Sequence, residues 1–250
     1  MLNHDIYGDG DHTLIIAHGL FGSGRNWRAI AKRLSASMRV ITVDMRNHAG
    51  SDWSDDMSYP AMADDLLGIV DAFGPARLLG HSMGGKAAMC AALQDPTGIE
   101  KLVIADIAPV AYTHTQIHNI DAMDAVDMAS VSSRSDADRQ LARHVDDPSL
   151  RAFFLQSLVL DDAPRWSLNL AALRASMDQI LDFPDISGQY SGLSLFVTGK
   201  GSDYVDDAGK ARIRTLFPGA RFAALKGAGH WLHADQPKAF IATVQAFLVG

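Results

Sequence analysis

The stretch Leu78-Leu79-Gly80-His81-Ser82-Met83-Gly84-Gly85-Lys86-Ala87-Ala88-Met89 decides the fold of this 250-residue chain. Arg77-Leu78-Leu79 reads as the end of a short buried strand. Lys86 to Leu93, rich in Ala, Met and Leu, reads as a helix. Ser82 therefore stands where a strand turns sharply into a helix. Gly80-His81-Ser82-Met83-Gly84 fits G-x-S-x-G, the strained turn that exposes a serine oxygen above a sheet. Side chains at the glycine positions would clash where the backbone segments crowd together, and glycine tolerates unusual φ/ψ. Free N–H groups and the helix dipole would face negative charge developing at Ser82. Three fixed positions in five carry little weight alone, so the reading depends on the rest of the chain.

Outward from this turn, short apolar runs alternate with helical patterns. Strands are expected at Leu14–Ala17, Val40–Val43, Leu78–Leu79, Leu102–Ala105, Leu193–Val197 and Arg221–Leu225. Helices are expected at about Asn26–Leu34, Tyr59–Phe73 and Pro237–Leu248. Near-continuous apolar strands between helices imply a mostly parallel sheet covered on both faces. Leu2 to Tyr7 suits an antiparallel edge strand. From Val110 to Pro184 the alternation breaks. Helical patterns occur there at roughly Thr115–Met128, Ser135–His144, Ser149–Leu158 and Leu168–Leu181, with no convincing strand. The expected organisation is an α/β core of residues 1–109 and 185–250, with a helical cap at 110–184. A cap straight after a strand's C-terminal end would cover the edge where open α/β sheets bind ligands.

Composition narrows the function classes. An apolar content of 48% over 250 residues supports one sizeable core. A net charge of −7 without a basic cluster argues against nucleic acid as a partner. Cys90 is the one cysteine, which excludes an intramolecular disulfide and suits a buried structural thiol. The ten histidines are scattered without metal-ligand spacing, so neither metal nor cofactor is expected. The N-terminus lacks signal-peptide regions, and no apolar run reaches the length of a membrane helix. A soluble, cytoplasmic protein without stable membrane anchoring is the expectation. Oligomeric state is not legible.

A serine needs a base to act as a nucleophile. His230, in Lys226-Gly227-Ala228-Gly229-His230-Trp231, follows the last expected strand on a glycine-rich loop. That puts it at the same sheet edge as Ser82, in the order nucleophile first, histidine last. His233 ranks second. His81 is expected to point away from Ser82 and to be structural. His18-Gly19-Leu20-Phe21-Gly22 follows the first core strand, so the amides of Leu20 and Met83 are the candidate oxyanion donors. The third member should be a carboxylate orienting the histidine. In the loop Thr198-Gly199-Lys200-Gly201-Ser202-Asp203 the usual spacing lands on Ser202, with Asp203 one residue late. Asp106, in Ala105-Asp106-Ile107-Ala108-Pro109, ends a buried strand. Both aspartates keep the order Ser…Asp…His, so order does not choose between them. Lys86 reads as a surface or cap-contacting charge, or as a partner for an anionic substrate. Asp44 and Arg46 read as turn braces. Phe21, Trp27, Trp53, Tyr204 and Trp231 are candidate pocket aromatics, and Phe153, Phe154 and Leu158 could face pocket or sheet.

With "HGLFGSGRNW", "DMRNHAGSDW", "GHSMGGK", "VIADIAPVAY", "GKGSDYV" and "GAGHWLHADQP" in this order, the chain resembles the α/β-hydrolase superfamily and, within it, the YbfF-type small serine esterases. The resemblance spans essentially the whole length. It implies serine carboxylesterase activity, with acyl-CoA thioesters cleaved by some relatives, and a small-molecule ester or thioester as partner. It also implies that Asp106 is the acid, with Ser202 hydrogen-bonded to the histidine or the aspartate. Relatives usually carry glycine where this chain has Ala49. A cofactor-free haloperoxidase or a carbon–carbon bond hydrolase uses the same three residues. A non-catalytic binding protein on the same scaffold is a further alternative. Dehalogenases and epoxide hydrolases are disfavoured, since they need an aspartate where Ser82 stands.

Overall fold

A computed structural model describes all residues, 1–250. The strands are β1 (His4–Tyr7), β2 (Thr13–Ala17), β3 (Arg39–Val43), β4 (Ala76–His81), β5 (Ile99–Ala105), β6 (Leu158–Val159), β7 (Arg165–Trp166), β8 (Leu193–Gly199) and β9 (Ala220–Leu225). Seven of them form one sheet in the order β1-β3-β2-β4-β5-β8-β9. Every neighbouring pair is parallel except β1 with β3, where His4 lies opposite Val43. Leu14 and Ile16 of β2 turn to one face with Leu79, Val103 and Val197. Ile15 and Ala17 turn to the other with Leu78, Leu102 and Ile104. Both faces are buried, which is why these strands read as unbroken apolar runs.

Helices α1 (Arg28–Leu34), α2 (Tyr59–Phe73) and α3 (Met83–Gln94) alternate with the first strands. Between β5 and β8 come α4 (Ile117–Asp124), α5 (Arg134–Leu141), α6 (Pro148–Phe154), α7 (Leu170–Ala175) and α8 (Met177–Leu181). The chain closes with α9 (Asp207–Leu216), α10 (Leu232–Asp235) and α11 (Pro237–Val249). Local chemistry sets these boundaries. Ser58 caps α2, proline follows within the first turn, and Gly74 ends the helix at φ 82°. Met62, Ala63, Leu66, Ile69 and Val70 form its buried stripe. Residues of α1 and α11 cover the Leu14 face, and those of α2 and α3 cover the Ile15 face.

The segment between β5 and β8 departs from the expected four helices. Its helices are shorter, Ser176 separates α7 from α8, and β6 pairs with β7 as a two-residue antiparallel hairpin. Strands of two residues carry no readable alternation, so periodicity could not reveal them. The hairpin end is fastened to the core. Ala49 N–H donates to Ser167 O (2.7 Å) and Asn169 N–H to Asn47 O (3.0 Å). No helix is long and apolar enough to cross a membrane.

Candidate active site

Three strand ends converge. Ser82 follows β4 directly, Asp106 follows β5 directly, and His230 lies five residues past the end of β9. Since β4, β5, β8 and β9 run parallel, their C-terminal ends share one edge. Ser82 sits at φ 52°, ψ −120° and Asp106 at φ 53°. Phe21, Asn47 and Ala49 are the other non-glycine residues at positive φ. All five lie at this edge or in the two loops beside it, as expected of strain held by a functional site. Ala49 takes a left-handed conformation (φ 47°), the physical reason a glycine suits that position.

The turn at Ser82 is as crowded as its glycines require. A Cβ on Gly80 would stand 2.3 Å from Gly84 O, and one on Gly84 only 2.4 Å from His18 O. α3 thus starts against the end of β2 and the loop after it. Met83 is the first residue of α3, and the first N–H groups of a helix have no intrahelical acceptor.

His230 connects the serine to the aspartate. Its Nδ1–H donates to Asp106 Oδ2 (2.9 Å), because a carboxylate only accepts. Its Nε2 then accepts from Ser82 Oγ (3.1 Å). Asp106 is fully buried, and it also accepts from Gly199 N–H (2.9 Å) and from the Ser202 hydroxyl. Ser202 therefore meets the aspartate rather than the histidine. Asp203 is exposed and stands outside this series. His81 turns away from Ser82, and its Nε2–H donates to His230 O (2.9 Å), fixing the backbone that carries the imidazole. Burial pushes His81 well below the ordinary imidazole range, so it stays neutral. His233 stacks on Trp27 (4.2 Å, 16°), and burial lowers it to about 3, with His230 adding to the shift.

The loop carrying Leu20 is held from behind by two neutral histidines. His18 Nδ1–H donates to Gly19 O (2.8 Å), and its Nε2 accepts from Met45 N–H (2.9 Å). His48 Nδ1–H donates to Arg46 O (2.8 Å), and its Nε2 accepts from Phe21 N–H (3.2 Å). Burial pushes His18 down to about 4 and His48 to about 3. Asp44 accepts from Gly24 N–H (2.8 Å) and Asn3 Nδ2 (2.7 Å), while Arg46 pairs with Asp65 (2.6 Å). The buttressing by His18 and His48 escaped the sequence reading. Both lie in quoted motifs, but nothing local shows that both ring nitrogens find partners in a dry interior.

A cavity of about 340 Å³ opens at Ser82. Phe21, Met83 and Ile107 line it from the core, and Leu150, Phe153 and Phe154 from the helical segment. Leu20, Trp27, Tyr204 and Trp231 also border it, while Trp53 is exposed elsewhere. Of the two structural readings of Lys86, the contact with the helical segment holds and the surface position does not, for it is 1% exposed. Its Nζ donates to Leu181 O (2.8 Å) and Asp182 O (2.7 Å) at the end of α8 and lies 4.7 Å from the Tyr112 ring. Burial lowers it to about 7, opposed by the charge of Asp182. A helical pattern marks Lys86 only as one turn past Ser82, because its cover comes from a segment some 95 residues away.

A doubly covered parallel sheet with a serine, histidine and aspartate linked at its C-terminal edge defines a hydrolase-type scaffold. The model of the alpha/beta hydrolase family matches residues 14–243, and the chain belongs to that family. It is similar to the mouse (Mus musculus) sn-1-specific diacylglycerol lipase ABHD11, at 42% identity over 96% of this chain and 83% of that one. The esterase YbfF of Escherichia coli is 35% identical over 94% of this chain and 92% of its own. A solved marine microorganism esterase superposes with a TM-score of 0.95 at 36% identity, covering 98% of each chain.

Proposed function

We propose that this protein is a serine carboxylesterase acting through an acyl-enzyme on residues Ser82, His230 and Asp106. The observation that carries the reading is the unbroken series Ser82 Oγ–His230–Asp106, with Ser82 facing a largely apolar cavity. The esterase and lipase relatives support the same chemistry. His230 Nε2 takes the Ser82 proton as the oxygen attacks the ester carbonyl, and the carbonyl electrons move onto oxygen. The Leu20 and Met83 amides are the oxyanion donors in this reading, and one such donor is worth about 10²–10³ in rate. The oxyanion collapses, the C–O bond to the leaving group breaks, and His230 returns the proton to the departing alcohol. Water, deprotonated by His230, then attacks the acyl carbonyl, the acyl bond to Ser82 Oγ breaks, and His230 returns the proton to Ser82 as the acid leaves. Asp106 holds the His230 tautomer that points Nε2 at the serine.

In this reading residues 110–184 act as a cap that excludes water from the acyl-enzyme. The cavity stands near the lower end of the ~300–1,000 Å³ typical of small-molecule sites, so short to medium acyl groups are the substrate class. Acyl-CoA thioesters of the same acyl length are second substrates by the same steps, with a thiolate as the better leaving group.

Hydrolysis of p-nitrophenyl esters from acetate to palmitate, by the native chain and by Ser82→Ala, tests the reading. Turnover should vanish in the variant and peak at short to medium chain length. Asp106→Asn should lower kcat by about 10⁴, as wrong-tautomer variants do, while Asp203→Asn stays within severalfold. Turnover indifferent to Ser82 would sink the esterase reading, and a crippling Asp203→Asn beside a mild Asp106→Asn would move the acid.

A further inference from the structure

The ring of Tyr204 lies flat on the imidazole of His230, with centroids 3.7 Å apart and planes at 15°. It is the closest ring pair in the molecule, and it involves the group that gains and loses a proton in each half-reaction. Nothing in the Ser82–His230–Asp106 series requires an aromatic ring there. Yet Tyr204 is fastened along its length. Its carbonyl accepts from Tyr112 Oη (2.7 Å), and Tyr112 Oη in turn accepts from Ala108 N–H (2.9 Å), two residues past Asp106. Its N–H donates to Ser202 Oγ (3.3 Å), the hydroxyl that also reaches Asp106. Its own hydroxyl shares a hydrogen bond with His114 Nε2 (2.8 Å), on the chain leading into the helical segment. The ring is thus anchored to the loop holding the acid and to the segment over the cavity.

We propose that Tyr204 is a positioning residue whose ring holds the His230 imidazole edge-on to Ser82 and, through its electron-rich face, favours the imidazolium formed during each proton transfer. The inference rests on the reading of His230 as the general base. A cation against an aromatic face is stabilised electrostatically, and more strongly when desolvated. Burial raises the Tyr204 phenol to about 12, so its ring keeps one charge state across any assay range. The other groups facing His230 leave this role open. Asp106 stands at the β5 end, Ser82 and His81 at the β4 turn, and His233 on α10. His81 and His233 are kept neutral by burial, so Asp106 is the one charge in contact with the ring. Behind Tyr204 stand His114 and the exposed Asp203.

The test is the pH profile of kcat/KM for p-nitrophenyl acetate and butyrate, in Tyr204→Leu, Tyr204→Phe and Tyr204→Trp, with Ser82→Ala alongside. Removing the face should lower the plateau about tenfold and move the acidic limb of Tyr204→Leu down by roughly half a pH unit, because the protonated ring has lost a partner. KM should stay within about twofold for both esters. Tyr204→Phe keeps the face and loses only the hydroxyl, so its limb should coincide with that of the native chain. Indole is the stronger cation partner, so the limb of Tyr204→Trp should lie at or above it. A Tyr204→Leu profile that falls evenly with its limb unmoved overturns the proposal, leaving a packing role. A Tyr204→Phe as impaired as Tyr204→Leu overturns it in favour of the hydroxyl. Should Tyr204→Leu fail to fold, the limb in Tyr204→Trp must still not fall below that in Tyr204→Phe. Turnover surviving in Ser82→Ala would instead indict the esterase reading, whatever the Tyr204 series does.

Discussion

Asp106 is the residue on which the site turns. It sits at positive φ, is wholly buried, and accepts from a backbone amide, the Ser202 hydroxyl and His230. A buried carboxylate needs such donors, and bonds to charged groups contribute about 1.5–3 kcal/mol each. Ser202→Ala should therefore reduce kcat/KM about ten- to a hundredfold by loosening the aspartate. In an Asp106→Asn background the same change should cost little more, because both act through one group. A full additive loss in the double variant would place Ser202 outside the Asp106 pathway. Ser82 and His230 could be picked from motif and order alone. The aspartate bonded to His230 could not be picked from order, since Asp106 and Asp203 satisfy the same order, and only the family resemblance implied Asp106. What separates them is that β5 and β8 are neighbours, so Gly199 and Ser202 meet the end of β5. That is a matter of sheet order, and no local pattern encodes it.

At the scale of elements, the site is the product of close approach between β2, β4 and α3. Gly84 lets the first turn of α3 touch the backbone after β2, with its absent Cβ 2.4 Å from His18 O and 2.6 Å from Ala17 O. Gly84→Ala drives its Cβ into the backbone of Ala17 and His18 and should destabilise the chain by about 1–3 kcal/mol, the usual cost of overpacking. It should also cut kcat beyond the loss of folded protein, because the displaced loop is the one carrying Leu20. Urea unfolding together with activity per folded molecule measures both, and an unchanged kcat would uncouple this contact from the loop. The central strands and the helices α1, α2, α3 and α11 were legible from their buried apolar residues, whereas α9, with only Gly209, Ile213 and Leu216 buried, was not legible as a helix. The segment between β5 and β8 was legible as helical but not in its breaks. Its elements run from two to eight residues, too short for periodicity to locate their ends. The burial of Lys86 was hidden for the opposite reason, as its partners are distant in sequence and close only after α8 returns to α3.

The whole molecule carries a pH signature. His18, His48, His81 and His233 are all held neutral by burial, below the ordinary value of about 6.5. Below that pH the unfolded chain binds protons that the folded chain refuses. Stability is therefore full above about pH 6.5 and is lost as pH falls toward the folded values of about 4 and 3. Each histidine contributes a slope of up to ~1.4 kcal/mol per pH unit in that window. Urea unfolding between pH 7.5 and 4.5 should show a steep acid loss. His233→Phe, which preserves an aromatic face on Trp27, should lower the slope by about one histidine's share. An equal slope in that variant would mean that His233 titrates normally when folded.

By itself, the sequence determined a parallel sheet, a serine at a strand-to-helix turn and a histidine at the last strand's end. Each of these follows from residue type and spacing within a few positions. Only the tertiary structure decided which aspartate meets the histidine, where Lys86 lies, and how Tyr204, His18 and His48 brace the site. Those facts depend on which strand ends lie side by side and on which groups lose their water, and burial is a property of distant segments brought together.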